Sequence, residues 1–118
     1  MVQSFRGLLV WQRSIQLTVA IYRLTQIFPR EEVYGLTSQI RRSAVSIPSN
    51  IAEGQGRLNS GEFRQFLGVA RGSNCEVQTQ LKIARALGFG DIKQIEEAEG
   101  LCSEIGKMIN AILKSLNA

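Results

Sequence analysis

Apolar side chains recur along this chain at the spacing of helix faces, and no stretch shows the alternation of a strand. Leu8, Trp11, Ile15, Val19 and Tyr22 form one row, with Leu17, Ile21, Leu24 and Phe28 forming a second beside it. They predict a first helix from about Leu8 to Ile27. Phe28-Pro29 ends it, because the residue before a proline is pushed out of the helical region. Arg30 to Tyr34 make a charged connector. In the following stretch, Leu36 to Arg57, the apolar positions Leu36, Ile40, Ala44, Ile47 and Ile51 are spaced 4, 4, 3 and 4, which marks a second helix. Pro48 lies inside it, removing the amide that would bond back to Ala44 and crowding that carbonyl, at a cost of roughly 3 kcal/mol if nothing compensates. A kink, or a break into two short helices, is expected there, and Gly54-Gln55-Gly56 closes the element.

Asn59 followed by Glu62 is the pattern of a capping box, so a third helix begins there and runs to Leu87 with Gly88 as its C-cap. Its core row is Phe63, Phe66, Leu67, Ala70, Asn74, Val77, Leu81 and Ala84. Asp91 caps a fourth helix with the cleanest row in the chain: Ile92, Ile95, Ala98, Cys102, Ile105, Ile109, Ile112 and Leu116. Its outer positions Lys93, Glu97, Glu104, Lys107 and Lys114 read as a solvated face. Four helices of about 20 residues on short connectors predict an all-α fold, an antiparallel up-down four-helix bundle with residues 1–118 as one domain.

The backs of the middle two helices depart from this ordinary pattern. Behind the second helix lie Ser38, Val45, Ser49 and Ala52, where a solvated face carries Lys, Glu and Gln. Behind the third, Gly68, Gly72, Cys75, Thr79 and Ala86 cluster opposite the core row, although each glycine in a helix interior costs roughly 1 kcal/mol. Val69, Glu76 and Ile83 recur at heptad spacing on one flank. Slim, uncharged backs imply approach by another helix, and in a chain this short that helix belongs to a second copy. The oligomer interface is therefore expected at Ser38, Val45, Ser49, Ala52, Gly68, Val69, Gly72, Cys75, Thr79 and Ile83.

Composition narrows the chemistry. The chain has 118 residues, 44% hydrophobic and 20% charged, which is ordinary for a globular protein. Its longest apolar runs are short and interrupted, and the N-terminus lacks the pattern of a signal peptide, so no membrane is expected and a cytoplasmic location is predicted. There is no histidine. Metal and thiol chemistry lose their usual ligands and bases, and no metal or cofactor is expected. The two cysteines, Cys75 and Cys102, are read as buried packing residues. The net charge of +4 is uneven: residues 1–88 hold 11 Lys+Arg against 5 Glu, and residues 89–118 hold 3 Lys against 5 Asp+Glu. Basic character thus belongs to the first three helices.

Taken together, the segments LVWQRSIQLTVAIYRLT, EEVYGLTSQIRRSAVSIPSNIAEGQGR, EFRQFLGVARGSNCE and TQLKIARALGFG resemble the bacterial four-helix-bundle family, also known as the proteins encoded in intervening sequences of large-subunit ribosomal RNA. The likeness runs from about Leu8 to Gly90, and SIPSNIAEG is its most distinctive part. It implies a small cytosolic all-α protein assembling as a ring-like homopentamer, with no assigned catalytic activity. The basic pentameric accessory protein of diversity-generating retroelements, which is associated with nucleic acid and a reverse transcriptase, is a more distant relative. Gln78 departs from the second Glu that many relatives carry after Glu76.

Four candidate features follow. Arg64, Arg71, Lys82 and Arg85 on one flank of the third helix, with Arg41, Arg42 and Arg57, form a basic set suited to salt-sensitive contacts with the phosphates of RNA or DNA, or with an acidic protein partner. Pairing of these arginines with Glu53, Glu62 and Glu76, within or between subunits, is the competing reading. The row Gln39, Ser43, Ser46, Asn50 and Glu53, with Glu76, is either an acid/base pocket or a polar network between helices. Without histidine, and with no lysine before position 82, serine activation has poor candidates, so the network is preferred and no catalytic residue is assigned. Gly54-Gln55-Gly56-Arg57 is a helix-to-helix turn, since a phosphate-cradling loop follows a strand. Trp11 and Phe5 are read as packing anchors, the alternative being base stacking.

Overall fold

The computed structural model describes residues 4–117. Four α-helices carry the chain: α1 (Leu9–Thr25), α2 (Leu36–Gln55), α3 (Ser60–Leu87) and α4 (Ile92–Leu116), with 3-10 turns at Phe5–Gly7 and Arg30–Glu32. Each helix packs on two neighbours in the cyclic order α1, α2, α3, α4, and among the described residues the backbones of the diagonal pairs make no close approach. Cross-helix partners fix the directions: Thr18 meets Ala44 and Arg41 meets Thr25, Ser46 meets Ser73, and Arg85 meets Glu99 while Arg71 meets Asn110. Along each neighbouring pair the order reverses, as Gly54, late in α2, approaches Phe66, early in α3, while Ser46 meets the later Ser73, so the bundle is antiparallel throughout. No strand occurs among the described residues.

The helix ends follow from their capping chemistry. The Asn59 side chain accepts from Glu62 N at 2.9 Å, and the Asp91 carboxylate accepts from Gln94 N at 3.1 Å, each satisfying one orphan amide of a first turn. At the end of α3, Gly88 adopts φ 73°, Phe89 N reaches Ala84 O at 2.9 Å and Gly88 N reaches Arg85 O at 3.1 Å. That pair of bonds is a Schellman closure. It turns Phe89 back onto Phe28, ring centroids 5.8 Å apart. α1 ends two residues earlier than its apolar pattern suggests, at Thr25, and Phe28 turns inward instead of extending the helix.

The core takes Leu17, Ile21 and Leu24 from α1, Ile40, Ala44, Ile47 and Ile51 from α2, Leu67, Ala70, Val77, Leu81 and Ala84 from α3, and Ile95, Ala98, Cys102, Ile105 and Ile109 from α4. For α2, α3 and α4 this is the expected row, frayed at the ends where Ile92 is exposed. For α1 only the second of its two apolar rows points inward, joined by Val10 and Ser14. Ile15, Val19 and Tyr22 of the first row stand outside.

Helix α2 runs through Pro48 without interruption, so it does not divide into two short helices. The compensation comes from α1. Thr18 Oγ lies 3.1 Å from the Ala44 carbonyl, the acceptor that the missing Pro48 amide leaves free, and 2.8 Å from Ser14 O, so its single proton serves both. Gly54 also differs from expectation. It sits buried inside the last turn of α2, where a Cβ would lie 2.6 Å from Phe66 Cβ, and so it serves the α2–α3 crossing as well as the turn that Gly56 caps.

Candidate nucleic-acid interface

The seven basic residues singled out in the sequence do not form one continuous positive surface, because their surroundings divide them into three kinds. Arg57 stands at the α2–α3 junction, 2.6 Å from Glu53 and 3.9 Å from Glu62, with its guanidinium 4.8 Å from the centre of the Phe66 ring. Lys82 and Arg85 converge on Glu99 of α4, at 3.5 and 2.6 Å. The charge of these three is largely balanced locally. Arg41 is bound differently: its Nε donates to Thr25 Oγ at 2.8 Å, Thr25 passes the chain on to Ile21 O at 2.8 Å, and the guanidinium lies 4.5 Å from the centre of the Tyr22 ring. It ties α2 to α1.

Arg42, Arg64 and Arg71 remain, exposed and with no carboxylate in ion-pair range among the described residues. Arg64 and Arg71 line a groove between α3 and α4 together with Gly61, Gln65, Gly68, Leu113 and Asn117, none of them acidic. Seven residues apart on one helix, they sit about 10 Å apart along its axis. The neutral Asn110 amide receives an Arg71 N–H at 3.1 Å and orients it without cancelling its charge. Arg42 lines the groove between α1 and α2 with Tyr22, Val33, Thr37, Ser38 and Val45. Guanidinium groups of this kind can make forked contacts to phosphate oxygens or carboxylates.

The row of small polar residues on α2 separates in the same way. Asn50 Nδ2 donates to Ser46 O at 2.7 Å and to Ser46 Oγ at 2.9 Å, and Ser73 Oγ of α3 bonds Ser46 Oγ at 2.9 Å. These three residues bridge α2 and α3. Ser43 bonds its own helix at Gln39 O, Glu53 is taken by Arg57, and Gln39 and Glu76 are exposed. Nothing brings Glu53 and Glu76 together in a closed cleft. Of the proposed interface positions, Val45, Ser49, Gly68, Val69, Gly72, Cys75, Thr79 and Ile83 are exposed, and Ser38 and Ala52 are half-buried. Ser38 and Val45 line the α1–α2 groove, and Gly68 lines the α3–α4 groove.

Two readings of single residues change. Cys75 is exposed, because it lies on the face of α3 opposite the core; only Cys102 is buried. Burial, helped by the nearby Glu99 charge, pushes the Cys102 thiol up from 9.0 to about 12. Glu104 is not simply solvated, since it pairs with Arg13 of α1 at 3.1 Å. Trp11 is half-buried and meets Phe5 edge-on at 5.3 Å. Three residues that decide the state of the arginines, Glu99, Thr25 and Asn110, carry no signal in the local sequence. Their partners lie on another helix.

The architecture defines a small all-α protein, a four-helix bundle in which, among the described residues, no helix is long and apolar enough to cross a membrane. Residues 6–111 match the model of the 23S rRNA-intervening sequence protein family, and the chain belongs to that family. A crystal structure of a protein of unknown function from the S23 ribosomal protein family of Bacteroides thetaiotaomicron is similar in fold, with a TM-score of 0.83 at 24% sequence identity. The alignment covers 90% of this chain and 99% of that one. No curated protein matches the chain at a significant level.

Proposed function

We propose that this protein is a cytoplasmic, non-catalytic, homo-oligomeric bundle, pentameric by the resemblance of its helices, that binds nucleic-acid phosphates through arginines on its outer surface. The observation that carries this reading is the pair Arg64 and Arg71, exposed in a groove with no acidic residue while Arg57, Lys82 and Arg85 are held by glutamates. Contacts of this type release counterions, so affinity falls steeply with salt and depends little on base sequence. One chain carries a net charge of +4, and several copies in a ring multiply the local field. The family's description, a protein of a 23S rRNA intervening sequence, is in keeping with an RNA setting.

The test is binding of a single-stranded RNA and a DNA duplex across a salt series. Arg64→Glu with Arg71→Glu should weaken binding and reduce the salt slope by about two. Arg85→Glu, which removes a residue already paired with Glu99, should change it far less. Binding indifferent to salt, or equal effects of the two variants, rejects the assignment. A second reading, an acidic protein segment as partner, is favoured by the α1–α2 groove, where Arg42 stands beside the apolar Tyr22, Val33 and Val45. It predicts a stoichiometric partner that survives nuclease treatment and is lost on Arg42→Glu.

A further inference from the structure

Helix α2 begins without a side-chain cap, because its N-cap is Gly35. Glu32 reaches back instead and accepts from Leu36 N at 2.9 Å, an approach that needs glycine at position 35, where a Cβ would lie 2.7 Å from Glu32 Oε1. The helical ladder then starts with Gln39 N, bonded to Gly35 O at 3.0 Å. In between, the amides of Thr37 and Ser38 make no hydrogen bond among the described residues. Orphan amides at the positive end of a helix dipole favour an anion.

A second observation points the same way. Of the buried polar side chains, Ser14, Thr25, Ser43, Ser73 and Asn74 all donate to a carbonyl or a hydroxyl. Thr37, only 6% exposed, has a hydroxyl that bonds nothing among the described residues. Thr25 returns its proton to Ile21 O, four residues back in the same helix, whereas Thr37 lies in the first turn and has no helical carbonyl behind it. A hydroxyl kept from most water and left unmet is costly unless something else occupies it.

Thr37 lines a groove between the end of α1 and the start of α2, together with Arg30 and Arg41 over an apolar wall of Phe28, Pro29 and Val33, and no acidic residue lines it. Arg41 stands one turn on from Thr37, and helical side chains lean toward the N-terminus, so guanidinium and hydroxyl share one side of the groove. Neutral groups hold Arg41, Thr25 Oγ at 2.8 Å and Tyr22 O at 3.4 Å, and leave its charge uncancelled. Arg30 is exposed, and neither arginine has a carboxylate in ion-pair range among the described residues.

We propose that the start of α2 binds a terminal phosphate group, with the Thr37 hydroxyl and the Thr37 and Ser38 amides donating to its oxygens while Arg41 and Arg30 balance its charge. Such a group brings three terminal oxygens and a charge of about −1.5 to −2. Two arginines and a helix N-terminus match that better than the single charge of a carboxylate or of a phosphodiester within a strand. The phosphate is the end group of a nucleic-acid strand or a free ion. The site lies on a different pair of helices from Arg64 and Arg71 and does not depend on them.

Amide NMR of the full chain reads the site directly, with separate titrations of inorganic phosphate and of a short oligonucleotide with or without a terminal phosphate. The Thr37 and Ser38 resonances should move and saturate with both phosphate probes and stay in place with the strand that lacks the end group. Tighter saturation by the phosphorylated strand assigns a strand end as the source, and tighter saturation by inorganic phosphate assigns the free ion; the site stands in both cases. Thr37→Val keeps the shape and removes the hydroxyl, so affinity should fall about tenfold while the melting temperature holds or rises, no partner inside the chain being lost. Arg30→Gln should weaken binding about threefold. Arg64→Glu with Arg71→Glu should leave the midpoint unchanged, which separates failure of this site from failure of the outer-surface reading. Resonances that do not move, or that respond equally to the strand without its terminal phosphate, overturn the proposal. So does a glutamate-rich peptide that saturates the site as tightly as phosphate, which would give the groove to an acidic protein segment. A lowered melting temperature in Thr37→Val assigns the hydroxyl a structural role and overturns it as well.

Discussion

Helices α3 and α4 lie side by side and meet the same demand on their inner faces, yet their outer faces were built to different specifications. α4 turns Lys93, Glu97, Lys107 and Lys114 to solvent, long charged chains that water tolerates well. α3 turns out Gly68, Gly72, Cys75 and Thr79, with Val69 52% and Ile83 44% exposed. Gly100 apart, whose Cβ position is likewise open, the fold explains the outer face of α4. It does not explain α3, whose outer glycines cost helix stability and relieve no contact within the chain. The comparison teaches that a residue's type can be set by the fold on one side of a helix and by something outside the chain on the other.

Breaking the inner face should have the largest effect. Ile109→Asp buries an unpaired charge in the core and is expected to cost about 4 kcal/mol or more, enough to abolish the cooperative thermal transition followed by circular dichroism. An unchanged melting temperature contradicts the core assignment. The two classes of glycine then sharpen the contrast. Gly54→Ala pushes a methyl to 2.6 Å from Phe66 Cβ and should destabilise by about 2 kcal/mol. Gly72→Ala meets open space and, measured on the dissociated chain, should stabilise by about 1 kcal/mol. Urea titration of both reads the opposite signs directly; the same sign for both would collapse the distinction.

A smaller effect belongs to the α1–α2 contact. Thr18→Val removes the hydroxyl that serves the Ala44 carbonyl beneath Pro48 and should cost about 1 kcal/mol. Equal stability in urea removes Thr18 from that role. Smallest in energy is the thiol contrast: at pH 8 Cys75 should react with a thiol reagent in the folded, dissociated chain while Cys102 stays silent. Folding raises the Cys102 thiol to about 12, so its contribution is intact below 9.0 and is lost as pH rises from there toward 12, where the unfolded chain ionises first. Two fast thiols at pH 8 contradict this burial.

How much of this was legible in the chain depends on where the partner of each residue lies. The α4 row could be read off because Ile95, Ala98, Cys102, Ile105 and Ile109 repeat at helix period on a helix whose other positions are polar. Asn59 and Asp91 were legible because a cap acts within three residues. α1 resisted, since both of its rows are apolar and periodicity alone cannot say which faces in; Val10, Ser14 and Leu17 settle it only once α2 and α4 are in place. The crossing at Gly54, the Thr18 remedy for Pro48 and the claim of Glu99 on Lys82 and Arg85 are contacts between helices, and no local spacing encodes them. The basic surface was therefore overdrawn: the seven cations visible in the sequence resolve into three balanced by glutamate, one tied into a groove and three free.

That the exposed faces of α1 and α3 are covered by further copies of the chain is tested most directly by sedimentation equilibrium of the wild-type protein at micromolar concentration and moderate salt. The account predicts one species at several times 13.1 kDa. A single-chain mass persisting across the concentration series, with those apolar side chains and glycines in water, contradicts it.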